Sequence, residues 1–545
     1  LQRIAFLPDR DGQGTDPDGA AAEFHDDRLE DALVHFVEAI RVDLEHSQRL
    51  VGGAAVDAAI ATGLTLGTAE PWMSGIGGGG YMTIYLAKTD EVKVVEFGMR
   101  APFNASSADY PLAAEGINSS DSFGWPKVEN DANIHGPLSI AVPGYIKGVA
   151  LALENFGTQP WDKVIEPACQ LAEWGLPIDW FSSSKINTFA RDLNRYDETR
   201  SVYLADGFPP VADLEGNMWG LPLGQLHKTY RHLQTHGPES YYTGDLAGMI
   251  CADLNAAGSR ISLEDLEKYE VKITTSLSTT YRDSEVFVAG NLTAGPSLVH
   301  ALEHLENHYT PGVISADLDP AQYEAFANGL LSAYDFRLKH LGAGPDKKTS
   351  ENTTHVCVTD SEGNVVSLTQ TIMSGFGSRI MLPQTGILMN NGMMWFDPTP
   401  GTPNSVEGGR HPLCNMCPVI VKKTANNASA NSVFAVGACG GRKIFPSVFQ
   451  LISFMVDNQL DIDDAVHRPR IDNSGSEVIT IMDSMPQEVV DQLTNRFPQS
   501  RLRPNGVSPN HFALPQLVEN VSNSTNTGGC FVPSPHAKVS RADDF

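Results

Sequence analysis

The sequence predicts an α+β protein in which stacked antiparallel sheets are covered by helices. The first observation is the stretch 353–371, TTHVCVTDSEGNVVSLTQT, in which apolar and polar residues alternate on both sides of a Gly-Asn turn. Such period-2 alternation is typical of a β-hairpin with one buried face. A second pair of alternating runs lies within 81–97, and an alanine-rich helical pattern covers 51–66 and ends before Pro71. Strands that leave in hairpins, mixed with long helices, favour this fold class.

The other segments carry weaker patterns. Residues 1–50 form a divergent lead-in that we expect to be partly disordered, because residues 1–30 combine Asp, Gly and Ala with little periodicity. A helical pattern follows at about 30–50. Helical blocks alternate with Gly and Pro at 140–180 and 220–310. Strands are predicted at 433–436 and 478–482, and a core helix at 445–456.

The composition excludes several kinds of partner. Of the 545 residues, 41% are hydrophobic and 19% are charged, as in globular proteins. The formal net charge of −28 and the pI near 4.9 disfavour phosphate backbones and anionic lipid surfaces, so nucleic acid is a poor partner. No run of 18 apolar residues occurs, and we therefore expect no membrane-spanning helix.

Cysteine and asparagine positions bear on the compartment. The seven cysteines are scattered and odd in number, which does not suit a disulfide framework. N-glycosylation motifs occur at Asn104, Asn118, Asn291, Asn352, Asn427, Asn520 and Asn523. These motifs favour a secreted, secretory-pathway or vacuolar protein over a cytosolic one.

Two short motifs favour structural roles. Residues 75–80, GIGGGG, satisfy G-x-G-x-x-G, but they follow a helix and precede a strand, which is the reverse of a dinucleotide site. We interpret them as a loop in which backbone segments approach closely. Cys414 and Cys417 form C-x-x-C without a βαβ redox context and without two further zinc ligands nearby. No metal or cofactor is predicted.

The hairpin places two threonine hydroxyls at the open end of its arms, because pairing brings Thr353 close to Thr371. If the peptide before Thr353 is cut, the new α-amine has a pKa of about 7.7 to 8 and can act as general base for its own hydroxyl. Taken in isolation, Thr353 would be an ordinary strand threonine, because β-branched residues favour strands. Gly440 and Gly441 precede a helix, and their N–H groups either form an oxyanion hole or belong to a tight turn.

Several separate blocks, among them AVPGYIKGV and FGSRI, resemble the γ-glutamyltranspeptidase (glutathione hydrolase) family of N-terminal nucleophile hydrolases. They cover roughly residues 51–475 in the family's order, at 52–86, 136–178, 241–271, 353–371, 376–380, 386–396 and 436–444. The resemblance implies a four-layer αββα sandwich made as one precursor. Autocleavage between Asn352 and Thr353 would give a large subunit, 51–352, and a small subunit, 353–545, that stay together as one intertwined domain.

The resemblance also implies individual roles. Thr353 attacks the Asn352 carbonyl to cut the chain, and the freed Thr353 then attacks a small amide or peptide substrate with its own amine as base. Thr371 orients this nucleophile, and Gly440 and Gly441 hold the oxyanion. Water or an amine resolves the acyl-enzyme without any cofactor.

The chain departs from the family where a γ-glutamyl group is held, since most polar positions are small, apolar or bulky here. The candidate substrate contacts are Gly98 (arginine in the family), Met373 (asparagine), Asn391, Gly392 and Trp395 (the N-N-x-M-x-D-F stretch, in which Trp395 replaces aspartate), and Cys414 and Asn415 (a serine pair). Arg100 and Asp397, each two residues downstream of a lost charge, would restore the clamp if the register shifted.

Loss of these contacts makes glutathione a poor substrate on energetic grounds. A buried carboxylate without its arginine carries a desolvation cost on the order of a few kcal/mol. Three hypotheses follow. The first is a hydrolase or transferase of γ-glutamyl groups from glutathione or its conjugates, and the second is a diverged member that acts on a less polar acyl group, in secondary metabolism or as an acylase. The third is a non-catalytic member.

Overall fold

The computed structural model describes residues 54–117, 125–312, 317–341, 352–424, 431–474, 478–506, 511–522, 526–531 and 538–539. The helices are α1 (Ala55–Ala69), α2 (Tyr145–Phe156), α3 (Trp161–Val164), α4 (Glu166–Trp174), α5 (Trp180–Leu193), α6 (Asp197–Tyr203), α7 (Leu226–His236), α8 (Gly244–Ala257), α9 (Leu263–Glu267), α10 (Gly295–His308), α11 (Pro320–Phe336), α12 (Ile444–Val456), α13 (Ile462–His467) and α14 (Gln487–Arg496). The predicted lead-in, 1–50, and its helical pattern lie outside the described residues.

The strands, also in chain order, are β1 (Gly79–Leu86), β2 (Glu91–Phe97), β3 (Leu112–Ile117), β4 (Pro126–Val128), β5 (Leu176–Ile178), β6 (Trp219–Leu221), β7 (Lys272–Thr275), β8 (Leu277–Tyr281), β9 (Ser284–Val288), β10 (Thr354–Thr359), β11 (Val365–Thr371), β12 (Val419–Lys423), β13 (Ser432–Cys439), β14 (Ile471–Asp472), β15 (Thr480–Met482), β16 (Arg501–Arg503), β17 (Leu514–Val521) and β18 (Thr527–Cys530). The fold is therefore the predicted mixture of helices and largely antiparallel sheets.

Helix α1 is the predicted alanine-rich helix, and it is buried on nearly all sides because most of its residues are small or apolar. Its small residues let it approach the sheet closely. A Cβ at Gly63 would lie 2.6 Å from the Gln370 side-chain oxygen. Pro71 comes directly after the C-cap residue Glu70 and cannot continue the helical hydrogen bonding.

The predicted hairpin is confirmed as β10 and β11, which pair antiparallel from Thr354–Gln370 to Thr359–Val365. Its turn is fixed by Asp360, whose carboxylate accepts hydrogen bonds from the backbone N–H groups of Glu362 (3.0 Å) and Asn364 (2.9 Å). The same carboxylate accepts from Ala55 N at 2.9 Å, at the start of α1. The turn therefore anchors the helix that covers the hairpin.

Two large sheets each combine strands from both sides of residue 353. One has five strands in the order β10-β11-β1-β2-β7, in which β1 and β2 form the second predicted hairpin. The other has six strands in the order β18-β17-β13-β12-β9-β8. Because β1 pairs with β11 and β9 pairs with β12, the segments before and after residue 353 share both sheets.

The two sheets pack face to face. Strands β10 and β11 contact β13, and the Ser367 hydroxyl lies 3.3 Å from the Val436 carbonyl oxygen. Helix α1 packs against β10 and β11 on the other side of the first sheet, and α12 packs against β13 of the second. Strand β11 is consequently buried along its whole length. The predictions of strands at 433–436 and 478–482 and of a core helix at 445–456 are confirmed by β13, β15 and α12.

All seven cysteines are free thiols in the structure. Among the helices that the structure describes, none is long and apolar enough to cross a membrane.

Candidate active site

The open end of the hairpin brings Thr353 beside Thr371. Thr354 pairs with Gln370, so the preceding residue lies next to the last residue of β11. Thr371 in turn pairs with Gly79 on β1, and a Cβ at Gly78 would lie 2.3 Å from the Thr371 carbonyl oxygen. The glycine loop is therefore the predicted site of close backbone approach, because a side chain at Gly78 would clash with the Thr371 carbonyl. Thr353 itself is buried, with 4% of its surface exposed.

The Thr371 hydroxyl is bonded to the peptide that precedes Thr353. It donates to the Asn352 carbonyl oxygen at 2.6 Å and accepts from Met373 N at 2.8 Å. Asn352 N donates to the Met373 carbonyl at 2.9 Å, which holds the segment against the turn after β11. A donor at the Asn352 carbonyl polarises the bond that would be cut and stabilises negative charge on its oxygen.

His355 lies two residues further along β10 and is buried between the sheets. Its ring nitrogens are 2.9 Å from Thr369 Oγ1 and 3.1 Å from Cys357 Sγ, and a Cβ at Gly437 would overlap the ring. Burial lowers the pKa of His355 from 6.5 to about 3. His355 is therefore neutral at physiological pH and fills space between the sheets.

Gly440 and Gly441 lie at one end of the second sheet, and Thr353 lies at the corresponding end of the first sheet. Gly437 of β13 contacts His355 near the start of β10, whereas Asn526, just before β18, bonds the Asp360 carbonyl at the far turn. Strand β13 thus runs toward the open end of the hairpin and ends one residue before the glycines. Both have positive φ, 139° and 62°, and open the short 3-10 turn ahead of α12. This conformation favours glycine.

A buried polar network positions Asn391. Its side chain accepts from Ser374 N at 3.0 Å and donates to the Ser374 hydroxyl at 2.7 Å and to the Ile134 carbonyl at 2.8 Å. The Arg379 guanidinium also bonds the Ser374 hydroxyl, at 2.9 Å. These contacts hold the turn after Thr371 in place. They use both the amide oxygen and the amide nitrogen of Asn391.

Three of the predicted substrate contacts meet in one apolar cluster, which we call the methionine cluster. Its buried members include Tyr81, Met99, Met373, Met393, Met394, Trp395, Cys414 and Met416. Gly392 lies against it, since a Cβ there would be 3.0 Å from Met99 Sδ. Methionine side chains are flexible and polarizable, and they adapt to apolar groups of different shapes.

Gly98 has no side chain, and Tyr81 occupies the adjoining space. A Cβ at position 98 would lie 2.8 Å from the Tyr81 hydroxyl oxygen. The Tyr269 hydroxyl donates to the Gly98 carbonyl at 2.6 Å and fixes the backbone there. Periodicity alone did not indicate that the Tyr81 hydroxyl lies beside Gly98. Tyr81 stands two residues after Gly79 and therefore shares a face of β1 with it.

Arg337 is a second residue that sequence reasoning missed. It follows α11 directly, is 1% exposed, and its guanidinium donates to the Cys414 carbonyl (2.6 Å), the Asn415 side-chain oxygen (3.0 Å) and the Thr293 carbonyl (2.9 Å). Burial lowers the pKa of Arg337 to about 10. Arg337 therefore holds the Cys414–Asn415 wall in place.

The two charges offered as a replacement clamp have other neighbours. Arg100 lies over the Phe103 ring and bonds Asp265, with 3.0 Å to its carbonyl and 3.4 Å to its carboxylate. The Asp397 carboxylate accepts from Thr399 N at 2.9 Å. A substrate contact by Arg100 stays a prediction. Burial raises the pKa of the Cys417 thiol, and the described residues contain no group of three or more potential metal ligands.

Comparisons with known proteins agree on one family. The γ-glutamyltranspeptidase family model matches residues 50–347 and 319–512. The chain is 31% identical over 482 residues to the acylase ACY 1 proenzyme of Pseudomonas sp. (strain SE83), covering 82% of this chain and 83% of that one. It is 27% identical over 495 residues to the glutathione hydrolase proenzyme of Bacillus subtilis (strain 168), covering 81% and 80%.

A solved structure has the same fold. The cephalosporin acylase from Bacillus halodurans superposes with a TM-score of 0.74 at 20% identity, over 91% of this chain and 92% of that chain.

Proposed function

This chain belongs to the γ-glutamyltranspeptidase family, and we propose that it is a self-processing amide hydrolase or acyltransferase with Thr353 as its N-terminal nucleophile. The observation that carries the proposal is the 2.6 Å hydrogen bond from the Thr371 hydroxyl to the Asn352 carbonyl, at a buried peptide beside Thr353. The carbonyl is held by a donor before any cleavage. The relatives named above are called proenzymes, which supports processing of the chain.

Processing is an N-to-O acyl shift followed by hydrolysis. The Thr353 hydroxyl oxygen attacks the Asn352 carbonyl carbon, and the Thr371 hydroxyl stabilises the oxyanion. The carbon–nitrogen bond breaks, and the proton from the hydroxyl passes to the departing Thr353 nitrogen. Water then cleaves the resulting ester, which leaves a carboxyl group on Asn352 and both a free amine and a free hydroxyl on Thr353.

Turnover uses the same groups on a substrate amide. The Thr353 hydroxyl attacks, its own amine takes the proton, and the substrate amine leaves with that proton. Gly440 and Gly441, which open the turn at the same end of the sandwich, supply N–H groups for the oxyanion. Water releases the acid product, or an amine accepts the acyl group.

The acyl group that suits the site is less polar than γ-glutamate. The methionine cluster, with Met373 next to Thr371 and with Trp395 and Cys414 nearby, offers flexible apolar surface. A zwitterionic amino-acid end would lose hydration against these apolar side chains, and the Arg337 guanidinium next to Cys414 is already bonded to carbonyl and amide oxygens. The similarity to a protein named acylase supports an acyl group other than γ-glutamate as a candidate.

Hydrolysis of glutathione or its conjugates is the second candidate. It is favoured by the similarity to proteins named glutathione hydrolase, and it requires a new contact for the substrate carboxylate. Arg100 is the predicted source of that contact. A non-catalytic role is the outcome to adopt if the chain stays uncut.

We further propose that cleaved subunits remain together in a four-layer αββα sandwich. The shared sheets support this, because β1–β11 and β9–β12 pairing crosses the cleavage point. The packing of α1 on one sheet and α12 on the other supports the outer helical layers. Separation of the fragments would expose the edges of both sheets.

The test of function combines processing with substrate choice. Purified protein is sequenced from its N-termini, and cleaved enzyme is assayed with p-nitroanilides of hexanoate, glutarate and γ-glutamate. The proposal expects cleavage before Thr353 and the highest kcat/KM on an uncharged acyl group. Cleaved enzyme that prefers γ-glutamyl-p-nitroanilide supports the second candidate instead.

A further inference from the structure

Tyr81 stands on the same sheet face as the proposed nucleophile. Tyr81 pairs with Thr369 across β1 and β11, and Thr369 pairs with His355 across β11 and β10. Directly paired residues share a face, as do residues two apart on one strand. Thr353, two residues before His355, therefore shares its face with Tyr81.

The Tyr81 hydroxyl marks a point well away from Thr353. It lies beside Gly98, one residue past the end of β2. Gly98 continues the row that contains Thr353, Thr371 and Gly79, and three strand spacings of about 4.8 Å separate the two ends of this row. Three spacings amount to about 14 Å, and the hydroxyl lies 2.8 Å from a Cβ at the Gly98 end, so it is on the order of 12 Å from the nucleophile. This is about the reach of an acyl chain of five or six carbons together with a hydrogen bond to its distal oxygen.

The surroundings keep the Tyr81 hydroxyl protonated. Burial, the Cys414 thiol and the Glu96 carboxylate all raise the pKa of Tyr81 well above 10. Glu96 is the direct cross-strand partner of Tyr81, and Arg337 lies behind Cys414 with its donors bonded to carbonyl and amide oxygens. A carboxylate at this point would face Glu96 and would be repelled by it.

We propose that Tyr81 is the specificity-determining residue of the acyl site, and that its hydroxyl donates to an uncharged oxygen at the far end of the acyl chain. This inference rests on the proposed function and names its substrate class. The preferred group is an acyl chain of five or six carbons with a distal ketone, ester or amide carbonyl. The methionine cluster packs against the chain between the two ends.

The test compares two acyl groups that differ only in the distal oxygen. Wild-type enzyme and Tyr81→Phe are assayed with 5-oxohexanoyl-p-nitroanilide and hexanoyl-p-nitroanilide. The ratio of kcat/KM for the two should be at least about tenfold in favour of the oxo compound in wild type and should fall at least about tenfold in the variant. Tyr85→Phe is the matched control, because the Tyr85 hydroxyl bonds Asp90 at 3.0 Å at the far end of β1.

A second variant reaches the same hydroxyl without changing it. In Gly98→Ala the new Cβ would lie 2.8 Å from the hydroxyl oxygen and displace it, so the ratio should fall here as well. An unchanged ratio in Tyr81→Phe would overturn this inference alone. A wild type that is cut at Thr353 but prefers glutaryl-p-nitroanilide to both neutral substrates would overturn this inference together with the uncharged acyl class of the proposed function. A chain that is uncut at Thr353 and hydrolyses none of these compounds would overturn the proposed function and this inference with it.

Discussion

The Thr371 hydroxyl donates a hydrogen bond to the Asn352 carbonyl, with 2.6 Å between the two oxygens. Met373 N donates to the same hydroxyl at 2.8 Å, so the hydroxyl proton is directed at the carbonyl. The end of β11 thus carries a preformed donor for the peptide bond ahead of Thr353. Electrostatic stabilisation of this kind needs no rearrangement when charge develops.

Thr371→Val should slow processing, because valine keeps the shape of threonine but lacks the donor. Removal of one oxyanion donor costs about a hundredfold to a thousandfold in rate. The rate is followed by denaturing gels during incubation at neutral pH. Thr371→Ser should process at a rate close to wild type. Thr369→Val, on the same strand and face but bonded to His355, is the matched control, and equal slowing in that variant would assign the effect to packing.

Charge on the acyl group should lower turnover. We expect kcat/KM for γ-glutamyl-p-nitroanilide to be at least about a hundredfold below that for a neutral acyl group of the same length, since an unpaired buried charge costs on the order of a few kcal/mol. Because the family has arginine and aspartate at these two positions, Gly98→Arg with Trp395→Asp is the natural repair of the clamp. The structure adds that Tyr81 occupies the space of residue 98, so Tyr81→Ala must accompany those changes. Equal kcat/KM for both substrates in wild type would refute the apolar pocket.

The pH profile should report the Thr353 amine. The amine acts as base only when deprotonated, so kcat/KM should rise with pH through one ionisation near or below the usual 7.7 to 8 of an α-amine. His355 cannot cause this rise in kcat/KM, because its pKa of about 3 keeps the imidazole neutral over the pH range of the rise. His355→Gln should leave the midpoint in place. A midpoint that moves by a full unit in that variant would implicate the imidazole.

Arg337→Lys should destabilise the protein although it keeps the charge. A lysine cannot bridge the Cys414 carbonyl, the Asn415 side chain and the Thr293 carbonyl as the planar guanidinium does. Loss of buried hydrogen bonds of this kind costs about 1 to 3 kcal/mol each when an acceptor is left unpaired. Thermal unfolding measures the effect. Arg410→Lys, at a half-exposed arginine paired with Glu407, should leave the Tm within about a degree, and a similar small shift in Arg337→Lys would contradict the bridging role.

Much of the fold was predictable because it is encoded locally. Alternation around the Asp360 turn predicted β10 and β11, and alanine content predicted α1. Periodicity could not predict that β1 lies beside β11, since the pairing Gly79–Thr371 joins distant parts of the chain. The blocks that resemble the family predicted one intertwined domain but did not predict this pairing.

The candidate site was predictable in part. Met373, Trp395 and Cys414 were named from the sequence, and they meet in one cluster. Tyr81 was missed because its proposed role depends on the absence of a side chain at Gly98, which only the pairing of β1 with β2 brings beside it. Arg337 was missed because its acceptors come from segments that only the folded chain brings together.

The central claim is tested most directly by the N-terminal sequence and intact mass of the purified protein. The account predicts cleavage between Asn352 and Thr353, with a smaller fragment of 193 residues (545 − 352) that begins Thr-Thr-His-Val-Cys. Thr353→Ala should remain a single folded chain. Thr354→Ala should still be cut, because the Thr354 hydroxyl bonds Ser74 at 2.9 Å on the opposite face. A wild-type chain that stays intact after days at neutral pH would contradict the account.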